Sequence, residues 1–164
     1  MVLTSFVVFP PNSWAISTSS DTTIAALPLI SNFAGGKPPQ NLGVKGGHLS
    51  QCPDSPNCVV SQGGDSTHSI KPIVYQQDRE VAREILLKVL SVVPRTKVVS
   101  QTDEYIRVEF TSNLMGFVDD GEFYFPPASK VIHIRSAARV GESDFGLNRR
   151  RLEQIRLALA DLEA

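Results

Sequence analysis

Residues Tyr105–Thr111 read YIRVEFT, and this stretch decides the fold because apolar and polar side chains alternate along it. Side chains of a β-strand point alternately to the two faces of a sheet, so the apolar positions 106, 108 and 110 share one face. Arg107 and Glu109 share the other face with Tyr105 and Thr111. The stretch therefore predicts a strand that covers a core on one side and presents charged groups on the other.

Three further β-rich segments accompany this strand, separated by short turns that contain Asp, Gly or Pro: Lys97–Gln101, Phe117–Phe125 and Lys130–Ser136. Four antiparallel strands are the economical arrangement of such segments. In the last segment, the isoleucines at 132 and 134 alternate with His133 and Arg135, which repeats the division into an apolar and a polar face.

The segment Phe117–Phe125 is less regular, because a glycine inside a strand marks either a bulge or a close approach of another group to the backbone. Gly121 is that glycine. The pattern therefore leaves open which of the neighbouring carboxylates points towards the core: Asp119, Asp120 or Glu122.

Two amphipathic helices enclose the sheet segments in the sequence. The first begins after the N-cap Asp78 and ends before Pro94, and the second follows a cap at Ser143 or Asp144. The apolar stripe of the first helix consists of Val81, Ile85, Leu86, Val89, Leu90 and Val93. The stripe of the second consists of Asn148, Leu152, Ile155, Leu159 and Leu162. The predicted fold is an α+β two-layer sandwich, in which a four-stranded antiparallel sheet carries both helices on one face.

The chain of 164 residues, 41% hydrophobic and 20% charged, is long enough for one globular domain. Residues 1–48 are poor in charge and rich in Ser, Thr, Pro and Gly, so they are predicted to be a flexible leader and linker, and residues 49–164 the single α+β domain. A net charge of −1 gives no general attraction to nucleic acid, and no aromatic residues are interleaved with the arginines to stack bases. No nucleic-acid partner is expected.

The N-terminal residues resemble an export signal that lacks its basic leading part. The apolar run Val2–Phe9 is followed by Ser13-Trp14-Ala15, a small-x-small pattern that predicts cleavage after Ala15. A leader without a targeting role explains the same residues. The run is far shorter than the ~20 residues of a membrane-spanning helix, so no transmembrane span is predicted.

The two cysteines of the chain, Cys52 and Cys58, are separated by five residues that include Pro53 and Pro56. This bent spacing allows a disulfide, which requires an oxidising compartment. Reduced or regulatory thiols are an alternative. A zinc site with the flanking histidines is another, although the spacing matches no common zinc pattern. We expect no resident metal ion and no cofactor.

Four stretches resemble, in order and spacing, the family named domain of unknown function 1499. They are CPDSPNCVVSQ from Cys52, the DSTHSIKP stretch from Asp65 to Pro72, GFVDDGEF from Gly116, and RSAARVGESDFGLNRRR from Arg135 to Arg151. The resemblance covers about Leu49–Leu162 and implies a bacterial or plastid protein, with a cyanobacterial or plastid source, but no substrate. Val60 and Ala138 stand where relatives often carry serine, so neither position offers a hydroxyl nucleophile here.

Four residues are candidates for acid–base catalysis: His68, Asp119, Asp120 and Glu122. Three carboxylates within four residues repel one another, which raises the pKa of one of them or allows a hard cation to bind. Pairing with the arginines of residues 135–156 is the structural alternative, and a histidine in a loop or strand is more often hydrogen-bonded for structural reasons. The common enzyme signatures are missing.

The basic residues between 135 and 156 are all arginines, which favours fixed, bidentate contacts with carboxylate or phosphate. The predicted anion-binding residues are Arg135, Ser136, Arg139, Asn148 and Arg149. Two functions are compatible with this pattern. The first is a non-catalytic binding or assembly module in an extracytoplasmic compartment (thylakoid lumen or periplasm), which holds an anionic small molecule or a protein partner. The second is an acid–base hydrolase that uses His68 or an aspartate with an arginine clamp.

Overall fold

The structure, a computed structural model, describes residues 35–113 and 115–163. In chain order its elements are β1 (Cys58–Val60), β2 (Ile73–Val74), α1 (Arg79–Val92), β3 (Thr96–Gln101), β4 (Tyr105–Thr111), β5 (Val118–Tyr124), β6 (Val131–Ala138) and α2 (Leu147–Glu163). The predicted α+β class is confirmed, as are two helices and a mainly antiparallel sheet.

The sheet has six strands in the described residues, in the order β1-β6-β5-β4-β3, with β2 also paired to β6. The predicted count of four was wrong because β1 and β2 are only three and two residues long. Segments that short contain too few residues for an alternating pattern. Together they cover the edge of β6 that does not face β5, and all of these strand pairs are antiparallel.

The main core lies between the helices and one face of the sheet, which we call the core face. Ile106, Val108 and Phe110 of β4 are buried there, as the alternation predicted. They pack in one cluster with Leu86 of α1 and Leu152 of α2. Both helices therefore share one core with the same face of the sheet.

The helix stripes were predicted correctly at their centres and less well at their ends. In α1 the buried residues are Ala82, Leu86, Val89 and Leu90, whereas Val81 is exposed. In α2 the stripe holds as far as Leu159, and Leu162, in the last turn of the helix, is exposed. Asp144 is the cap of α2, since its carboxylate accepts the backbone N–H of Asn148 at 2.7 Å. Asp78 stands at the N-cap of α1 without a side-chain hydrogen bond.

The second face of the sheet, which we call the charged face, is covered by the chain between residues 36 and 53. Leu49 of this covering chain packs with Val60 and Tyr124 of the sheet in a small apolar cluster. Residues 35–48 were assigned to the linker by composition, but part of this segment lies against the sheet. The backbone N–H of Gly43 donates to Glu122, and the side chain of Val44 packs against the small cluster. The predicted export signal and its cleavage after Ala15 lie outside the described residues.

Within the described part of the chain, neither helix combines the length and the apolar character that crossing a membrane requires.

Gly121 marks a close approach and not a bulge, since β5 pairs in regular register with both of its neighbours. A Cβ atom at this position would lie 2.4 Å from Cε2 of Phe110 and 2.8 Å from Cγ2 of Val108. Real atoms do not approach so closely, and both neighbours belong to the packed core. The position therefore requires glycine for steric reasons.

We predict that Gly121→Ala lowers the free energy of unfolding by about 1–3 kcal/mol, because overpacking a core displaces its side chains. Urea denaturation monitored by circular dichroism measures the change. Thr111→Ala, at an exposed position at the end of β4, is the control and should change stability by no more than about 0.5 kcal/mol. Equal stability of wild type and Gly121→Ala would contradict this packing.

Candidate functional site

The charged face is built by the cross-strand register of β4, β5 and β6. Glu109 lies opposite Asp120, and Glu122 lies between Arg107 on one side and Arg135 on the other. Glu122 thus has an arginine within contact distance on each neighbouring strand, whereas Glu109 and Asp120 are like charges that share Arg107 and Arg139 as partners. The register itself assembles an ion network.

Asp120 is the centre of this network. Its Oδ1 accepts hydrogen bonds from Nη2 of Arg107 at 2.8 Å and Nη2 of Arg139 at 2.9 Å, and its Oδ2 accepts Nε of Arg139 at 2.8 Å. Arg139 also binds Glu109. Burial opposes the ionisation of Asp120, but the hydrogen bonds from the two arginines outweigh it and hold its pKa below the usual range. The hydrogen bond to Asp120 likewise raises the pKa of Arg139.

Glu122 is fully buried and accepts three hydrogen bonds. Its Oε2 accepts Nη1 of Arg135 at 3.0 Å, and its Oε1 accepts the hydroxyl of Tyr105 at 2.8 Å and the backbone N–H of Gly43 at 2.7 Å. Burial raises the pKa of Tyr105, so the phenol remains a donor. Glu122 therefore ties the covering chain to the sheet.

Arg135 is the exception in this otherwise paired network. Its side chain is 3% exposed, and its hydrogen bond within the described residues runs from Nη1 to Glu122. Its Nε is buried and has no hydrogen-bond partner there. An unpaired N–H of a buried guanidinium is unfavourable, because the lost hydration is not replaced.

Arg135 lines a cavity of about 340 Å³ between the charged face and the covering chain. We call it the Arg135 cavity. The residues that line it are Lys37, Pro39, Asn41, Gln51, Cys52, Pro53, Arg135, Ala137, Ala138 and Arg139. Three of these side chains are cationic and none is a carboxylate. The cysteine loop and the first two arginines of the arginine-rich run thus meet at one hollow.

The predicted disulfide is present between Cys52 and Cys58, whose Cα atoms are 5.6 Å apart. The two sulfurs are bonded to each other, so the alternatives of free thiols and zinc ligands do not describe this state. Cys58 lies in β1 opposite Ala137 of β6, and Cys52 is in the wall of the cavity. The bond therefore fastens the covering chain to the edge of the sheet.

Three of the predicted site residues lie on the core-face side of the sheet, away from the cavity: Asp119, Ser136 and Asn148. Arg151 donates to Asp119 at 2.8 Å, and the hydroxyl of Ser136 donates to the side-chain oxygen of Asn148. Burial raises the pKa of Asp119. Ser136 and Asn148 therefore do not form one anion site with Arg135, from which they are separated by the sheet.

His68 also lies outside the Arg135 cavity, beside the cysteine loop. Its Nδ1 is 2.9 Å from Oδ1 of Asp65, and its Nε2 is 3.2 Å from the carbonyl oxygen of Ser55. Both ring nitrogens thus face acceptors, an arrangement that the doubly protonated ring satisfies. The hydrogen bond with Asp65 raises the pKa of His68 and lowers that of Asp65.

Arg149 binds backbone carbonyls, from its Nη1 to Ser69 at 2.6 Å and from its Nη2 to Thr67 at 2.7 Å. It therefore supports the loop after β1 and is not part of the Arg135 cavity. The N–H groups before α2 are occupied by the Asp144 cap and not left for an anion. Of the five predicted anion-binding residues, Arg135 and Arg139 are the two that share the cavity.

Lys37, Asn41 and Gln51 also belong to the cavity wall and were not predicted from the sequence. They lie in coil without periodicity, so no pattern placed them over the sheet. Tyr105 was assigned to the charged face, but its hydrogen bond to Glu122 was not foreseen. The alternation in Lys130–Ser136 did contain one usable signal, because it places Ser136 on the face opposite Arg135.

Comparison with known proteins gives one match. The family model described as Protein of unknown function (DUF1499) matches residues 48–159. Neither the curated proteins nor the solved structures include a match to this chain.

We predict that the His68–Asp65 pair makes stability depend on pH above about 6.5, the ordinary pKa of histidine. A raised pKa means that folding favours the protonated ring. The contribution is therefore complete below about pH 6.5 and is lost as the pH rises through the raised pKa of His68. Urea denaturation at a series of pH values measures it.

The control for this prediction is His68→Gln, which cannot titrate and should remove the decline. Burial lowers the pKa of His133, so this residue lowers the stability as the pH falls below about 6.5. His133→Gln should therefore leave the decline above pH 6.5 in place. An unchanged decline in His68→Gln would show that another group causes it.

Proposed function

Because the chain belongs to the DUF1499 family, whose description names no activity, we propose its function from the geometry of the Arg135 cavity: the protein is a non-catalytic module that binds a small anionic ligand. The observation that carries this proposal is the unpaired Nε of Arg135, a buried donor on a residue that lines a cavity. A bound anion supplies the missing acceptor.

The rest of the network supports binding because it holds Arg135 in place. Nη1 is fixed by Glu122, and Glu122 is fixed in turn by Tyr105 and Gly43. A donor that is already oriented loses little conformational entropy when a ligand binds. Lys37 and Arg139 add positive charge to the wall.

The alternative hypothesis, an acid–base hydrolase, has less support from the geometry. His68 and Asp119 lie away from the cavity, and Asp120 is held ionised by Arg107 and Arg139, which makes it a weak proton donor. Glu122 has its carboxylate engaged by three donors. The arginine clamp of that hypothesis and the binding module use the same Arg135, so ligand binding without turnover separates the two.

We further propose that the module works in an extracytoplasmic compartment, the thylakoid lumen or the periplasm. The Cys52–Cys58 disulfide supports this location, because such bonds persist where the surroundings are oxidising. The anionic ligand is then a small molecule of that compartment or an anionic group of a protein that the module helps to assemble.

We predict that the protein isolated from its natural source without reductant contains the Cys52–Cys58 bond. Mass spectrometry should give a mass lower by about two hydrogens than that of the reduced chain, since forming the bond removes one hydrogen from each thiol. Alkylation before reduction should label neither cysteine. Complete labelling of both would contradict the oxidising location.

We predict that Lys37→Gln weakens anion binding by about two- to fivefold, because an exposed cation at the cavity wall contributes a modest attraction. Titration calorimetry with sodium propionate and sodium phosphate at constant ionic strength measures the affinity. Lys45→Gln makes the same charge change at an exposed residue outside the cavity lining and should have no effect. Equal weakening in both variants, or no binding of either anion to the wild type, would contradict the proposal.

A further inference from the structure

We propose that the anionic group bound in the Arg135 cavity is a carboxylate on a small organic body. The carboxylate is held by the edge of the Arg135 guanidinium formed by Nε and Nη2. This inference rests on the proposed function, and it narrows the ligand from any anion to one chemical class.

The geometry of the Arg135 guanidinium favours a carboxylate ligand. Nη1 is engaged by Glu122, and this is the hydrogen bond that the Arg135 side chain makes within the described residues. Nε and Nη2 lie on the other edge, where their N–H bonds are parallel and in one plane. Two parallel, coplanar donors match the two oxygens of a carboxylate in a bidentate pair.

The charge of the groups around the cavity favours a ligand with a single negative charge. Behind the cavity, Arg107, Arg135 and Arg139 are matched by three carboxylates, those of Glu109, Asp120 and Glu122. The network is therefore neutral, and Lys37 adds one positive charge at the wall. A single negative charge completes this balance.

A phosphate monoester fits this charge balance less well. It carries about 1.5 to 2 negative charges at neutral pH and would place them near the buried carboxylates of Glu122 and Asp120. Like charges in such a site repel strongly, because little water screens them. The site therefore favours a carboxylate over a phosphate.

The lining and the volume of the cavity favour a small ligand. Pro39, Pro53, Cys52, Ala137 and Ala138 supply apolar surface, although the larger part of the wall is polar, and none of the lining residues is aromatic. A volume of about 340 Å³ lies at the lower end of the range of ligand pockets. The cavity therefore suits a small ligand body that carries both apolar and polar groups.

The side-chain amides of Asn41 and Gln51 add polar groups to this wall, and Nε2 of Gln51 also donates to the carbonyl oxygen of Gln62 at 3.0 Å. Amides bind a hydroxyl or peptide group next to the carboxylate. Two sources present such a carboxylate, a free short-chain acid and the C-terminus of a polypeptide, and the experiment includes both.

The test uses the full chain labelled with ¹⁵N and follows the Nε–H resonance of Arg135. That resonance is assigned in the wild-type protein, additionally labelled with ¹³C, through its scalar couplings to the side-chain carbons of Arg135. The free-acid arm uses sodium propionate and sodium lactate, and the peptide arm uses N-acetyl-alanyl-alanine. Propionamide, the C-terminal amide of the same dipeptide, and sodium phosphate are the comparison ligands.

We expect at least one carboxylate to shift the Arg135 Nε–H resonance in a saturable manner, with an affinity about tenfold or more above that of phosphate and of its own amide. Arg135→Lys retains a cation beside Glu122 but lacks the Nε–Nη2 edge, and it should weaken binding by about tenfold or more. Arg107→Lys is the matched control, because Arg107 belongs to the same network but does not line the cavity. It should bind as the wild type does.

The outcomes separate this inference from the proposed function. Phosphate binding at Arg135 as tightly as the carboxylates, or amides binding as well as acids, overturns the carboxylate inference and leaves anion binding intact. No response of the Arg135 resonance to any of these ligands overturns both. The wild-type resonance decides the question even if Arg135→Lys does not fold.

Discussion

The structure depends on the complete pairing of charges that have been removed from water on one face of its sheet. A buried ion is tolerated only when partners replace its hydration, because the desolvation of each charge is costly. Asp120 is 1% exposed and Glu122 is fully buried, yet each accepts hydrogen bonds from at least one arginine. The covering chain can close over this face because the network beneath it is neutral. Its own contacts, such as the N–H of Gly43 on Glu122, are then part of the same network.

This arrangement explains why the binding site that we propose lies at Arg135 and not elsewhere in the network. Arg139 uses Nε and Nη2 to hold Asp120, so the same edge that is open in Arg135 is occupied there. Arg107 also directs Nε and Nη2 to Asp120. The difference arises because Arg107 and Arg139 both reach diagonally across the register to Asp120, which lies opposite Glu109 and Ala137. Glu122, which lies between Arg107 and Arg135 in the register, engages Arg135 through Nη1 alone. One guanidinium edge of the network is consequently left for an external acceptor.

The sequence determined the main layers of this fold because they follow from side-chain periodicity. The alternation in β4 separated the core face from the charged face, and the helix stripes identified Leu86 and Leu152 as core. Residues 1–48 were assigned to a leader and linker from their composition, and residues 35–48 show no periodicity that predicts the contacts of Gly43 and Val44 with the sheet. The same limit affected the prediction of the site. The sequence pattern does not show that Arg135 and Arg139 line one cavity while Asn148 lies on the other side of the sheet, because this depends on how the elements pack. For Ser136 the strand parity alone was sufficient.

The position of the family match divides the Arg135 cavity into two parts. Residues 48–159 include both arginines, the disulfide and the strands that carry the ion network. Lys37, Pro39 and Asn41 precede the match and form the outer wall. The bidentate edge of Arg135 therefore belongs to the family region, whereas the extra positive charge and part of the apolar surface come from the chain before it. A protein with the same domain and a different preceding segment would keep the edge that we propose binds a carboxylate but would enclose a different ligand body, so recognition of the carboxylate and recognition of the rest of the ligand have separate origins in the sequence.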